Sequence, residues 1–138
     1  MSKINANYLF VYGYLMRKNR LIKELGVPDM PVEYLGDGYM YAHLYRVAGF
    51  PGLVYDNTRK HRTHGEVYLI REQKVFFEEM DEYELALPNY KRHDANYHRR
   101  VRPVHIAKGP TLPCWVYEYI LPTDHLTRIK TGRFELLI

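Results

Sequence analysis

Five carboxylates crowd into the seven residues Glu78-Glu79-Met80-Asp81-Glu82-Tyr83-Glu84. Asp81 and Glu84 stand three apart and share one face if the segment is helical. Neighbouring like charges and a helix C-terminus both disfavour ionisation, which raises carboxyl pKa values toward neutrality, where a carboxylate can act as general base and then as general acid. The same composition describes an acidic helix face turned to solvent, and spacing alone leaves both readings open. About seventy residues earlier, Tyr8-Leu9-Phe10-Val11-Tyr12-Gly13 reads as a strand running into a glycine turn. Such a turn gathers unpaired backbone N–H groups that can bind an anion or a developing oxyanion. Other chemistry has less support. Ser2 is the single serine, which excludes a serine-nucleophile triad. The histidines, at 43, 61, 64, 93, 98, 105 and 125, lack helical ligand spacing, and His61 and His64 read as loop residues beside Arg59, Lys60 and Arg62, so no metal site is expected.

The elements that must position these residues are mostly strands. Tyrosine- and valine-rich runs of four to eight residues are separated by Gly, Pro, Asn and Asp. The pattern predicts strands at Tyr8–Tyr12, Asp37–Tyr45, Gly52–Asp56, Thr63–Leu69, Tyr97–His105 and Pro113–Ile120, with Gly109–Pro113 as a loop. In the fifth, residues 97, 99, 101 and 103 share one side, so Tyr97 and Arg99 lie on the face of Val101 and Arg99 is expected to point inward. Two helices are expected, Arg17–Leu25 with Leu21, Ile22 and Leu25 at helical spacing, and Glu72–Tyr83 with Phe76, Met80 and Tyr83 likewise. Gly26 and Pro28 stop the first, and Leu85 to Pro88 ends the second. The fold class is α+β, a small mixed, mostly antiparallel β-barrel flanked by a few helices.

A chain of 138 residues is one domain's worth, 1–138, with enough buried surface to hold a core without staples. Its one cysteine, Cys114, cannot form an internal disulfide and reads as a small core residue. With no leader and no apolar run of about 20 residues, the expectation is a cytoplasmic protein without a membrane partner. A net charge of +4 with 14 tyrosines raises nucleic-acid binding, but the basic residues are interspersed with acids, which speaks against that partner.

Several short pieces, in order along the chain, together resemble the γ-glutamylcyclotransferase-like family, which includes the AIG2-like proteins and the γ-glutamylamine cyclotransferases. They are Tyr12-Gly13-x-Leu15, Leu35-Gly36, Leu44-Tyr45 with Phe50-Pro51-Gly52, Gly65-Glu66-Val67-Tyr68, Met80-Asp81-x-x-Glu84, Tyr97-x-Arg99, Val101-x-Pro103-Val104, Trp115-Val116-Tyr117 and the tail Ile129 to Phe134. The resemblance implies a β-barrel with a cavity beside the first turn, no cofactor, and a small-molecule γ-glutamyl amine or peptide as substrate. It implies internal attack of the α-amine on the γ-carbonyl, releasing 5-oxoproline. Glu84 matches the family's catalytic glutamate, the N–H groups of Gly13, Tyr14 and Leu15 its oxyanion turn, and Tyr12 lines the pocket. Tyr97 and Arg99 lie nearby by the same analogy, a purely structural Tyr-Arg pair being the other reading. Two positions depart from the pattern: Tyr14 stands where the family has Ser or Thr, and Leu85 where it has Gly. The alternative to an enzyme is a non-catalytic small-ligand or protein-binding module on the same fold.

Overall fold

The computed structural model describes residues 6–13, 32–47, 50–74 and 97–134. Seven strands run through them: β1 (Tyr8–Val11), β2 (Val32–Val47), β3 (Phe50–Tyr55), β4 (Arg62–Ile70), β5 (Tyr97–Ile106), β6 (Thr111–Tyr119) and β7 (Thr127–Arg128). They form one sheet in the order β1-β4-β2-β3-β6-β5, and the further pairings β1–β6 and β2–β5 close it on itself as a barrel. The ladders are antiparallel except β1–β6 and β3–β6, so the barrel is mixed. β7 continues the pairing of β2 beyond the end of β4.

Alternation along the strands sorts side chains into two clusters. Phe10, Tyr12, Met40, Ala42, Leu44, Leu53, Val67, Val104, Cys114 and Val116 fill the barrel, joined by Phe134 from the tail. Leu9, Val11, Tyr68 and Ile70 form a second cluster on the outer face, with Tyr34, Trp115 and Tyr117 against them. Burying one such large side chain contributes about 1.5–3 kcal/mol. Burial pushes the Cys114 thiol up to about 12, so it is an inert core group.

Three expectations change. β2 is a single strand of 16 residues rather than one beginning at Asp37, because the chain passes Gly36 with a shift of register between Tyr34 and Gly36 instead of breaking. The loop at Gly109–Pro113 is shorter: β6 begins at Thr111, and Pro113 lies inside it opposite Pro103. Two prolines facing each other fit a pair whose nitrogens point away from the shared ladder. The expected helix at 17–25 lies outside the described residues, and of the one at 72–83 only the helical start at Gln73–Lys74 is described. The described architecture is therefore the barrel, without flanking helices. No helix among the described residues is long and apolar enough to cross a membrane.

Candidate functional site

At one end of the barrel three separate stretches meet: the end of β1 with Tyr12 and Gly13, the start of β3 with Pro51 and Gly52, and the start of β5 with Tyr97. Tyr12 follows Phe10 on the inward face, and its hydroxyl donates to the Tyr117 carbonyl on β6 at 2.5 Å. Burial, with Tyr97 and Glu118 nearby, keeps this phenol protonated well above its usual range, so it acts as a fixed donor. Gly13 faces Pro51 so closely that a Cβ built on the glycine would lie 2.5 Å from the proline Cγ. Tyr97 is buried, donates to the Pro51 carbonyl at 2.8 Å, and packs edge-on against Tyr119 at 5.6 Å between ring centroids. One tyrosine hydroxyl thus fixes β5 to the segment that also confines the glycine turn.

Arg99 does not join this group. Alternation does place it with Tyr97 and Val101, but the inward positions of this sheet are those of Val104, Cys114 and Val116. Arg99 therefore projects from the outer face, opposite Tyr117, and is exposed. The inward positions of β5 and β6 include instead Glu118, near this end, and Arg102, further along β5. Arg102 grips the buried Glu118 carboxylate with two nitrogens, at 2.5 and 3.1 Å, and its guanidinium lies 4.0 Å over the Tyr55 ring. Both oxygens of this carboxylate are thus committed to Arg102. Glu84, Tyr14 and Leu15 lie outside the described residues.

A sequence model of the family "Gamma-glutamyl cyclotransferase, AIG2-like" matches residues 9–136. The chain belongs to this family. Its fold is similar to that of a mouse AIG2-like protein, with a TM-score of 0.62 at 22% identity over 91% of this chain and 87% of that one. It is also similar to the YtfP protein of Escherichia coli, at a TM-score of 0.57 and 25% identity over 92% and 95% of the two chains. A third likeness is an uncharacterised protein of Pyrococcus horikoshii, at 0.57 and 23% over 92% and 88%. No curated protein matches the chain.

Seen as an AIG2-like chain, its Phe50-Pro51-Gly52 piece carries more than the fold, since Pro51 is what touches both Gly13 and Tyr97. The sequence pointed to that piece only as part of a pattern. A second constellation was not legible at all. His43 of β2, Asp56 after β3 and His61 before β4 come together, with donor and acceptor atoms within 4.8 Å of one another. The two imidazoles are 4.4 Å apart between centroids, and His64 is part of β4, in line with the strand expected at Thr63–Leu69 rather than with the loop reading of the histidines. Asp56 is buried and accepts five hydrogen bonds, from the N–H groups of Thr58, Lys60 and His61, the Thr58 hydroxyl, and the His61 ring. Burial pushes its pKa upward, but the bonds from Thr58 and His61 prevail and hold it below the usual carboxylate range. Its lone pairs are thus committed to the loop between β3 and β4. A metal ion would have to displace them, next to the cationic Lys60 and Arg128.

Proposed function

We propose that this chain is a γ-glutamyl cyclotransferase acting on a γ-glutamyl amine or peptide, working without a cofactor in the reducing cytoplasm as a single 1–138 domain. The observation that carries this reading is the meeting of Tyr12-Gly13, Pro51 and Tyr97 at one barrel end, in a chain that belongs to the AIG2-like family. The substrate's α-amine attacks its own γ-carbonyl carbon; a C–N bond closes the five-membered ring, the old amide C–N bond breaks, and 5-oxoproline leaves with a free amine. Closing the ring needs a folded substrate conformer, a deprotonated α-amine and a stabilised oxyanion. Glu84 takes the ammonium proton and returns a proton to the departing nitrogen. The N–H groups of Gly13, Tyr14 and Leu15 hold the oxyanion or the substrate carboxylate, with the Tyr12 and Tyr97 phenols shaping the wall behind them.

The test is Glu84→Gln, which keeps shape and hydrogen bonding but removes the base. Release of 5-oxoproline from a panel of γ-glutamyl amides should fall roughly 10²-fold or more with thermal unfolding unchanged. Equal release by variant and parent would remove Glu84 from the mechanism.

A further inference from the structure

A cavity of about 210 Å³ opens where β2, the loop before β4, and the tail after β7 come together. Its charged lining is Lys60, Arg62, Arg128 and Lys130, with His43 and His61 between them, and no carboxylate among the described residues is part of the wall. Asp56 lies beside His43 and His61, but its oxygens are committed to Thr58, Lys60 and His61. Among the described residues Arg71 pairs with Glu33, and Arg100 and Arg102 pair with Glu118. The four cations of this cavity have no carboxylate partner among the described residues. A concave surface carrying four unneutralised charges focuses a positive field. The field is felt by its own histidines: burial lowers the pKa of His43, and His61 and Arg128 lower it further, against the pull of Asp56. His64 is lowered by burial and by Arg133 and Arg62.

We propose that this cavity is a binding site for a phosphate group, supplied by inorganic phosphate or by a small phosphomonoester. Its volume is below the roughly 300–1,000 Å³ of sites that enclose drug-sized ligands. It suits a compact tetrahedral anion with its waters. The guanidinium and ammonium groups of the lining residues can supply charge-assisted bonds. A nucleic-acid strand is the lesser fit because the neighbouring aromatic faces are already covered. Arg62 lies 4.4 Å over the Tyr39 ring, and His105 stacks on that ring at 4.9 Å. A strand needs such faces open for its bases.

The experiment titrates the isotope-labelled full chain with inorganic phosphate, then with glycerol phosphate, at constant ionic strength set by chloride, following His43, His61, Thr131 and Gly132 resonances. The expected result is saturable shifts confined to these residues, with the His43 titration point moving upward as the anion offsets the charge of Arg128. Lys60→Ala and Lys130→Ala, both on exposed side chains, should each weaken binding roughly tenfold or more. Arg128→Ala is a further variant at the half-buried wall. Glu84→Gln should bind phosphate as the parent does, which separates this site from the cyclotransferase reaction. Tighter binding of glycerol phosphate than of phosphate would identify a phosphomonoester as the ligand, and the reverse would identify the free ion. Non-saturating shifts, shifts reproduced by chloride, or affinity unchanged in both lysine variants would overturn the proposal. So would tight binding of a single-stranded oligonucleotide that phosphate cannot displace.

Discussion

Gly13 is held by its neighbour rather than by its own backbone angles. Among the described glycines a positive φ occurs at Gly36 and Gly132, not at Gly13, whereas a Cβ on Gly13 would meet Pro51 Cγ at 2.5 Å and Cδ at 3.3 Å. A proline ring cannot swing aside as a long side chain can, so a larger residue must push β3 or the turn. Gly13→Val should cost about 1–3 kcal/mol, the usual penalty of overpacking, and should abolish 5-oxoproline release by shifting the turn. Urea unfolding and the release assay check both, and a variant normal in each would show that the close approach has no consequence. The strand leading into Tyr12-Gly13 was legible. The reason for a glycine at 13 was not, because Pro51 is remote in sequence and only the closed sheet brings it there. Arg99 shows the matching limit: alternation in Tyr97-His98-Arg99-Arg100-Val101 gives the period of the strand, but which set faces inward is decided by Val104 and by Cys114 and Val116 across the ladder.

Between β3 and β4 the chain turns on one buried carboxylate. Asp56 takes the N–H groups of Thr58, Lys60 and His61, which would otherwise lack partners in a tight connection. Its pKa in the folded chain lies below that of an unfolded aspartate, about 3.9. On acidification the unfolded chain therefore binds the proton first. The stability this group provides is complete above about pH 5 and is lost as pH falls toward its folded pKa. Asp56→Asn leaves one oxygen acceptor and turns the other into a donor facing N–H groups. The expected loss is about 1–3 kcal/mol at pH 7, with a flatter decline of stability below about pH 4 than in the parent. Urea titrations of both proteins at pH 7 and pH 3 measure this, and equal stability at pH 7 would show that the loop stands without the carboxylate. The strands flanking this loop were readable from their tyrosines and valines, whereas the cluster was not. His43 reaches Asp56 only because β2 and β3 pair in the register that sets His43 opposite Val54, a non-local fact that spacing along the chain does not encode.

The tail after β7 completes the interior of the barrel that the strand pairings close. After β7 the backbone is tied to the barrel wall by Ile129 N–H to the Leu44 carbonyl at 2.7 Å and by His64 N–H to the Gly132 carbonyl at 2.7 Å. Gly132 adopts a φ of 69°, and a Cβ there would fall 2.0 Å from the Arg62 carbonyl oxygen, so glycine is required on both counts. That turn delivers Phe134, fully buried, into the same cluster as Phe10, Val67 and Met40. A two-residue strand such as β7 is too short to leave a pattern, yet the order Ile129 to Phe134 marked the segment as part of the family's fold. A barrel whose interior is completed by a residue from outside its strands should lose that residue at the cost of a cavity. Phe134→Ala should destabilise the chain by about 3–5 kcal/mol. Such a loss is a large share of the 5–15 kcal/mol typical of a domain. Because the tail also borders the cationic cavity through Lys130 and Thr131, the same substitution should loosen phosphate binding while Lys130→Ala leaves the unfolding midpoint unchanged. Urea unfolding gives the first quantity, and a change below about 1 kcal/mol would mean that the barrel is closed by its strands alone.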